Sequence, residues 1–477
     1  MSQSHATAAR LGASPLRIDW SGIAQVSAKV LPISTPVLSV PEAWQKLKTR
    51  FESGEIGFFD TPVKDELSQA TASIELAREV LNSHLFTDIL FLGIGGSVLG
   101  PISLLSALEH RRKNALRFHF AENPDPIDWK LTLSRLKPES TLVCAVTKSG
   151  GTFETIAQLL IALEWLKKEH WKTHLIAITD PTRGDLRRFA QDHEIRTLSI
   201  APSLGGRFSV FSPVGLFACE LAGLQVSEFL KGAHQVREHL EKTPLEKGPI
   251  GQLALQLIRN AASRPVHVCM PYSTRLRVVG DWFVQLWGES LGKDGKGFTP
   301  VAAVGATDQH SILQLLRDGP DDKVTWFVSV NEVPDSVSIP RAPLSPTRGT
   351  YDSFNLLQGH TLQELLIAEY QATSLVLSKA GRAQVSFQLD ELNERGIGAL
   401  LFSLCALTAL TGTLWGINPF DQPGVEEGKI YTRNALLHSK TERNGADSRT
   451  NQEGQALDDD SNSPVHRLRL TTRNESQ

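Results

Sequence analysis

The segment TLVCAVTKSGGTFETIAQLLIALEWL, Thr141–Leu166, joins an apolar run, a loop of glycines and hydroxyl side chains, and a periodic apolar segment. The apolar run predicts a buried strand, and the periodic segment predicts a helix that begins near Thr152. The free amides of the loop and the positive end of the helix dipole would then converge on one point. That point suits an anion, and Thr147, Lys148, Ser149 and Thr152 supply further donors.

Two glycines in this loop, Gly150 and Gly151, would allow backbone to approach a ligand without an intervening β-carbon. The simpler alternative is an ordinary turn in which Thr152 caps the helix, since hydroxyl residues are common at helix starts. The loop alone leaves both interpretations open.

A second loop, FLGIGGSVLGP at Phe91–Pro101, repeats the order of strand, glycine-rich turn and helix start. Two such loops at the carboxyl ends of parallel strands can face one crevice. A dinucleotide-binding fold is the competing explanation, but its fingerprint requires a glycine where this chain has Val98, and the pattern GxxxxGK[ST] is also absent. The pair of loops therefore favours a phosphate carried by a small molecule.

Outward from these loops, short β-branched runs alternate with helical patterns, which is typical of an α/β fold with a mostly parallel sheet. The strands predicted for a first unit are ILFLG, RFHFA, TLVCAV, THLIAIT and IRTLSI, and those for a second unit are PVHVCMPY, TPVAAVG and KVTWFVSV. We expect an N-terminal extension over 1–45, domains over 46–230 and 231–437, the second with closing helices, and a polar, disordered tail over 438–477.

The composition excludes several classes of protein. With a formal net charge of -3 over 477 residues, no global field attracts nucleic acid or anionic lipid. The four cysteines form no CxxC pair and are expected to be buried thiols. We see no secretory signal and no apolar run approaching about 18 residues, so a cytoplasmic protein is expected. No metal-ligand spacing is present, and no metal is predicted.

Three side chains outside the loops are suited to chemistry. Arg207, in GGRFSVFSPVG, could neutralise an anion that develops during a reaction, or simply pair with a carboxylate. Gln285 and Glu289 lie four residues apart, hence on one face of a largely apolar helix. A carboxylate on such a face is either paired or able to serve as a general base.

Two further segments have a functional and a simpler interpretation. His310, in ATDQHSILQLLRDG, stands at a predicted helix start, where a histidine is either catalytic or a capping or surface residue. The segment NPFDQPGVEEGKIY, Asn418–Tyr431, carries Gln422 in a proline-rich turn and Lys429 in the first turns of the last helix. An ordinary surface lysine is the alternative there.

Taken in order, six segments resemble the glucose-6-phosphate isomerase family: GIGGS, TKSGGTFET, GGRFSVFS, QLWGESLGK, DQHS and NPFDQPGVEEGK. The resemblance extends from Asp88 to about Ala435. It implies two sugar-isomerase domains, each an α/β sandwich around a mostly parallel sheet. It also implies a homodimer in which a histidine reaches the partner's site, and it requires no cofactor.

The resemblance implies interconversion of glucose 6-phosphate and fructose 6-phosphate, in glycolysis and gluconeogenesis, through ring opening and a cis-enediol(ate). Glu289 would move the proton between carbon 2 and carbon 1, and Arg207 would stabilise the negative charge of the intermediate. His310 and Lys429 would assist ring opening. The implied substrate-binding residues are Gly96, Ser97, Thr147, Lys148, Ser149, Thr152, Gly206, Gln285 and Gln422.

The chain departs from the family pattern at a few positions. Thr147 replaces a frequent serine, Pro423 replaces a frequent tryptophan, and Thr307 and Asp308 replace the Asn-Gly pair of longer members. A hydroxyl is retained at the first position and a turn at the second, so chemistry should survive with altered affinity.

Two alternatives remain open at this point. A non-catalytic sugar-phosphate sensor would keep the phosphate loops but would not need Glu289, His310 and Lys429 together, and no DNA-binding segment is visible. An isomerase of broader range would also accept mannose 6-phosphate, which depends on the shape of the pocket around carbon 2.

Overall fold

The computed structural model describes residues 8–27, 38–64, 69–334, 336–341 and 351–449, apart from the side chains of residues 63, 64, 426 and 439–449. The strands in this part of the chain are β1 Ala8–Arg10, β2 Leu16–Asp19, β3 Asp88–Leu92, β4 Arg117–Ala121, β5 Thr141–Thr147, β6 Leu175–Thr179, β7 Arg196–Ser199, β8 Val266–Pro271, β9 Thr299–Ala302, β10 Lys323–Glu332 and β11 Ala383–Glu391. The helices are α1 Ser21–Ser27, α2 Val40–Glu52, α3 Thr61–Lys64, α4 Gln69–Ser83, α5 Leu99–Leu108, α6 Pro126–Ser134, α7 Phe153–Leu166, α8 Trp171–His174, α9 Asp185–Asp192, α10 Pro213–Leu221, α11 Val226–Lys242, α12 Pro249–Asn260, α13 Arg277–Leu291, α14 Gln309–Asp318, α15 Asp352–Leu357, α16 Leu362–Lys379, α17 Glu394–Leu414 and α18 Pro423–Arg449.

The first sheet contains the five strands predicted for it, in the order β4-β3-β5-β6-β7, and every neighbouring pair is parallel. Strands β3, β5 and β6 are buried along their whole length. Burial on both faces explains why these segments are continuous apolar runs instead of alternating ones. Because β3 and β5 are paired, the two glycine-containing loops that follow them lie at the same edge of the sheet.

The second sheet has the order β1-β2-β11-β10-β8-β9. Strands β8 to β11 are parallel, and the N-terminal hairpin β1-β2 joins β11 in antiparallel pairing. Neither the hairpin nor β11 was predicted as strand. The polar residues of β11 interrupt the apolar pattern that identifies a buried strand. In the structure Ser386 Oγ accepts from Tyr370 Oη at 2.9 Å, and Gln384 Oε1 accepts from Ser374 Oγ at 2.9 Å. Hydrogen bonding to neighbouring side chains makes burial of these polar groups tolerable.

The N-terminal hairpin lies in the part of the chain that was expected to form an extension. Residues of the expected N-terminal extension belong to the second sheet, and both sheets lie within one compact unit, Met1–Phe420. The division into two domains near residue 230 stays a prediction. The second compact unit, Asp421–Gln477, contains α18, which continues to Arg449, past the expected start of the tail at residue 438. The rest of the predicted tail, 450–477, lies outside the described residues.

Helix α17 is the central core element of the first unit. Its residues Glu394–Leu414 have the length and hydropathy of a membrane-spanning helix, so the expectation that no apolar run approaches this length was wrong. The apolar window is nonetheless completely buried within the protein, in contact with helices α2, α11, α12 and α13. The hydroxyl groups of Ser403, Thr408 and Thr413 bond to carbonyls one turn back, for example Ser403 Oγ to Ala399 at 2.7 Å. These features are those of a core helix.

Candidate active site

The loop Thr147–Thr152, here called the anion loop, connects β5 to α7. Its three hydroxyls form a cluster: Thr147 Oγ1 lies 2.7 Å from Thr152 Oγ1 and 3.4 Å from Ser149 Oγ, which is 3.3 Å from Thr152 Oγ1. Thr152 has extended backbone at the N-cap of α7, but its side chain makes no capping hydrogen bond. Thr152 thus occupies the N-cap position of the simpler alternative without its side-chain hydrogen bond, and the role of the hydroxyls and helix-start amides in binding an anion stays a prediction.

Lys148 ties the anion loop to the segment after β7. Its Nζ donates to the carbonyl oxygen of Pro202 at 2.7 Å, and burial lowers the pKa of this ammonium. A direct contribution of this charge to phosphate binding stays a prediction. What the contact provides here is a cross-link between two loops at the carboxyl edge of the sheet.

The glycine turn Gly95–Ser97 lies between β3 and α5 and contacts the segment that carries the arginine. A β-carbon on Gly96 would lie 2.4 Å from the carbonyl carbon of Gly206, so the two backbones touch. Ser209 Oγ bridges them by bonding to the Gly96 carbonyl at 3.1 Å and the Gly206 carbonyl at 2.7 Å. Ser97, which ends the turn, is half-buried. Only glycine allows this approach of two loops.

The groups that hold Arg207 include two side chains and one backbone carbonyl. Its Nη1 donates to Glu289 Oε1 at 2.9 Å, its Nε to Ser290 Oγ at 2.7 Å, and its Nη2 to the Pro419 carbonyl at 2.6 Å. The arginine is only 2% exposed, whereas the Glu289 side chain keeps 24% of its surface accessible. A buried guanidinium fixed in this way cannot reorient, and the carboxylate beside it can still be reached by a ligand.

Gln285 holds the other oxygen of Glu289. Its Nε2 donates to Glu289 Oε2 at 3.1 Å, as the four-residue spacing on α13 predicts. The Gln285 Oε1 atom is buried and has no hydrogen-bond partner in the described part of the chain. A β-carbon on Gly95 would lie 2.8 Å from Gln285 Nε2, so the glycine turn borders this pair. Because this oxygen is inaccessible to solvent, a contact between Gln285 and substrate stays a prediction.

His310 lies in the first turn of α14 and is exposed. Its side chain makes no hydrogen bond or ion pair with the residues that the structure describes. The preceding Gln309 is fixed, because its Oε1 accepts from Tyr272 Oη at 2.7 Å and from Thr373 Oγ1 at 3.1 Å. The start of α14 is thus well supported, although the histidine itself has no partner in the described part of its own chain.

Gln422 and Lys429 belong to the second compact unit, Asp421–Gln477. Lys429 is exposed on α18. The placement of both residues at the site of Glu289 stays a prediction. Within the described residues, no group of three or more His, Cys, Asp and Glu side chains could hold a metal ion. All four cysteines are buried and unpaired.

Sequence reasoning missed three groups that hold the site together. Ser290 is one of them, and the signal in the sequence was a hydroxyl residue directly after Glu289 on a largely apolar helix. The Pro202 and Pro419 carbonyls are backbone groups, which carry no signal in the residue type.

The fold and the site define a class: an α/β protein with an anion loop and a solvent-accessible carboxylate paired to a buried arginine. Such a site can transfer a proton on a substrate that is held by a negatively charged group. The family model for phosphoglucose isomerase matches residues 66–453, and the chain belongs to this family.

Similar proteins cover most of the chain. It is 44% identical over 375 residues to a glucose-6-phosphate isomerase of Rubrobacter xylanophilus, which covers 76% of this chain and 85% of the relative. A glucose-6-phosphate isomerase of Carboxydothermus hydrogenoformans is 41% identical over 407 residues, covering 81% and 86%.

Two solved structures have the same fold. The crystal structure of a hypothetical protein from Thermus thermophilus has a TM-score of 0.77 at 38% identity, covering 83% of this chain and 94% of that one. A glucose-6-phosphate isomerase from Chlamydia trachomatis has a TM-score of 0.69 at 21% identity, covering 100% and 95%, and supports the fold alone.

Proposed function

We propose that this protein interconverts glucose 6-phosphate and fructose 6-phosphate. The names of the two bacterial relatives support this reaction. The observation that carries the proposal is the contact of Arg207 Nη1 with Glu289 Oε1 at 2.9 Å, with Glu289 still partly accessible. A reaction that removes a proton next to a carbonyl needs this combination, because a base must act where negative charge develops on oxygen.

In the proposed reaction Glu289 removes the proton from carbon 2 of the open-chain aldose. The C–H electron pair forms the carbon 1–carbon 2 double bond, and negative charge develops on the carbonyl oxygen. The proton of the carbon 2 hydroxyl moves to the carbon 1 oxygen, so that the negative charge lies on the carbon 2 oxygen. Glu289 then returns its proton to carbon 1 as a carbonyl group forms at carbon 2, which yields the ketose. Both carboxylate oxygens are engaged by Arg207 and Gln285, but a carboxylate has about four lone-pair sites, so each oxygen keeps one for the substrate proton.

Arg207 supplies the charge that stabilises the enediolate. Ser290 and the Pro419 carbonyl hold the guanidinium in place before substrate arrives. A preorganised charge requires no rearrangement as the reaction proceeds, and removing one such group typically costs about 100-fold to 1,000-fold in rate. Gln285, which holds the second oxygen of Glu289, positions substrate in this proposal.

The anion loop holds the phosphate. Three clustered hydroxyls and the N-terminus of the 14-residue helix α7 provide donors from several directions, which suits a phosphate. Ser97, Gly96 and Gly206 contribute from the neighbouring turns. Anchoring the phosphate fixes the sugar chain relative to Glu289, and the substrate supplies the binding energy through a group that does not react.

His310 and Lys429 assist ring opening in this proposal, and the histidine is contributed by the partner of a homodimer. The exposed His310, with its supported helix start and no partner in the described part of its own chain, favours such an arrangement. Gln422 positions substrate. We expect the protein to act in the cytoplasm, in glycolysis and gluconeogenesis.

The test is turnover of both sugar phosphates by purified protein with a chelator present. Wild type is compared with Glu289→Gln and with Glu169→Gln, which alters an exposed glutamate in the same way. We expect activity in wild type and Glu169→Gln and its loss in Glu289→Gln. Binding of sugar phosphate without turnover by wild type would contradict the proposal and indicate a sensor. Mannose 6-phosphate, assayed in parallel, measures substrate breadth.

A further inference from the structure

We propose that the segment Asp180–Gly184, here called the bracing loop, positions the anion loop and thereby sets the affinity for the phosphate group. The bracing loop connects β6 to α9 and contains no residue assigned to the substrate. The inference rests on the proposed phosphate role of the anion loop. It identifies Gly184 and Asp180 as positioning residues of that site.

Two backbone hydrogen bonds join the loops. The Asp180 N–H donates to the Lys148 carbonyl at 3.2 Å, and the Leu186 N–H, in the first turn of α9, donates to the Gly150 carbonyl at 2.9 Å. These bonds fix the carbonyls on both sides of Ser149. The residue between them therefore has little freedom to move.

The loops also touch at two glycines with positive φ, Gly150 at 70° and Gly184 at 93°. A β-carbon on Gly184 would lie 2.4 Å from the Ser149 carbonyl oxygen and 2.8 Å from Gly150 Cα. Real β-carbon contacts this short do not occur, so a side chain at Gly184 must displace backbone of the anion loop. This backbone carries the hydroxyls and amides proposed to bind phosphate.

The bracing loop is itself rigid. Asp180 Oδ1 accepts from the Thr182 N–H at 2.8 Å and the Arg183 N–H at 2.9 Å. The Asp180 carbonyl accepts from Arg187 Nε at 2.7 Å. Arg187 is 6% exposed, and its other nitrogens reach the hydroxyls of Thr197 at 2.7 Å and Ser199 at 3.2 Å. Because the bracing loop is held by these hydrogen bonds, it restricts the movement of the anion loop that it contacts.

Displacing the anion loop should affect the affinity for phosphate more than the rate of proton transfer. Hydrogen bonds to phosphate weaken steeply with poor angles and longer distances, so a shift of Ser149 by several tenths of an ångström reduces affinity. Glu289 and Arg207 belong to other elements, α13 and the segment after β7. The proton-transfer step on bound substrate should therefore be affected little.

The experiment is Gly184→Ala in the full-length protein, with inorganic phosphate and both sugar phosphates as probes. The matched control is Gly359→Ala, because Gly359 has a φ of 87° but nothing within 4 Å of an added β-carbon. Both variants place an alanine at a positive φ, and only the first has the steric contact. We expect Gly184→Ala to raise the Kd for inorganic phosphate and the KM for both sugars about tenfold, with kcat changed less than about twofold.

A second pair of variants tests the positioning role of the bracing loop without adding a side chain at the contact. Asp180→Ala removes the acceptor for two N–H groups, whereas Asp180→Asn keeps an oxygen at the same place. We expect weaker phosphate binding in Asp180→Ala and recovery in Asp180→Asn. This pair decides the question if Gly184→Ala does not fold.

Two results would overturn the inference. One is a phosphate Kd for Gly184→Ala equal to that of Gly359→Ala, and the other is equal Kd values for Asp180→Ala and wild type. Because inorganic phosphate binding requires no turnover, the inference is tested even if the wild type isomerises neither sugar. Absence of turnover contradicts only the proposed reaction. Thr152→Val, which removes a hydroxyl of the anion loop, is measured in the same phosphate assay. If Thr152→Val binds phosphate more weakly than wild type, unchanged binding in Gly184→Ala contradicts the role of the bracing loop; if Thr152→Val also binds as wild type does, the anion loop does not hold the phosphate.

Discussion

Arg207 Nη1 donates to Glu289 Oε1 at 2.9 Å, although the two residues are 82 positions apart in the sequence. The same guanidinium reaches Ser290, which follows Glu289 on α13, and the Pro419 carbonyl. The proposed base and the proposed charge stabiliser are therefore in contact before any substrate binds. The partners that fix the arginine should affect the rate as well as the stability.

Ser290→Ala should lower kcat with little change in KM. The substitution leaves the buried Arg207 Nε–H without its acceptor, and such an unpaired group costs about 1–3 kcal/mol unless the guanidinium shifts. Steady-state kinetics at saturating substrate measure the effect. Ser403→Ala is the control, because it removes an equally buried hydroxyl from the core helix α17. Equal kcat values in the two variants would contradict a role for Ser290 in positioning Arg207.

Thr152→Val should raise KM for both sugar phosphates about tenfold, because it removes a hydroxyl from the three-membered cluster and keeps the shape of the side chain. Thr152→Ser keeps the hydroxyl and should remain close to wild type. Initial-rate measurements over a range of substrate concentrations separate KM from kcat. If the valine and serine variants have the same KM, the hydroxyl does not bind phosphate.

Mixing inactive variants tests the shared histidine. Glu289→Gln and His310→Ala, unfolded and refolded together at equal amounts, should recover about a quarter of wild-type activity. Half of the random dimers are mixed, and each mixed dimer has one intact site of its two. Glu289→Gln mixed with Arg207→Lys is the control and should recover nothing, since those side chains contact each other within one chain. No recovery in the first mixture would place His310 in its own chain's site, and activity of His310→Ala by itself would place it outside any site.

Stability should fall between about pH 6.5 and pH 3 through the buried His267. Burial lowers the pKa of this histidine from 6.5 to about 3, and its Nδ1 accepts from Trp287 Nε1 at 3.0 Å. Below its ordinary pKa the unfolded chain binds a proton that the folded chain does not. The stability present above pH 6.5 is therefore lost as the pH falls, by up to ~1.4 kcal/mol per pH unit.

Denaturant unfolding at several pH values measures this slope. His267→Gln has no titrating group at this site and should flatten the dependence, whereas His110→Gln, at an exposed position, should leave it unchanged. An unchanged slope in His267→Gln would show that other groups cause the loss of stability.

The sequence by itself determined the local units of this protein. The apolar runs of β3, β5 and β6 are buried on both faces, so their residue types identified them as strands of a parallel sheet. The anion loop was equally predictable from the sequence, because its hydroxyls, glycines and helix start are adjacent in the chain and interact over a few residues. The ordered segments that resemble glucose-6-phosphate isomerase then indicated the family, which the family model confirmed.

Only the tertiary structure decided how these units meet. The pairing of Arg207 with Glu289, the polar strand β11 and the N-terminal hairpin beside it depend on contacts between distant residues, which no local pattern encodes. The supports of the site are mainly backbone groups: the carbonyls of Pro202 and Pro419, and the two glycines at which the bracing loop meets the anion loop. Every residue type has a carbonyl, so the two carbonyl contacts leave no signal in the sequence. The glycines are visible in the sequence, but the packing of the chain decides which backbone each of them meets.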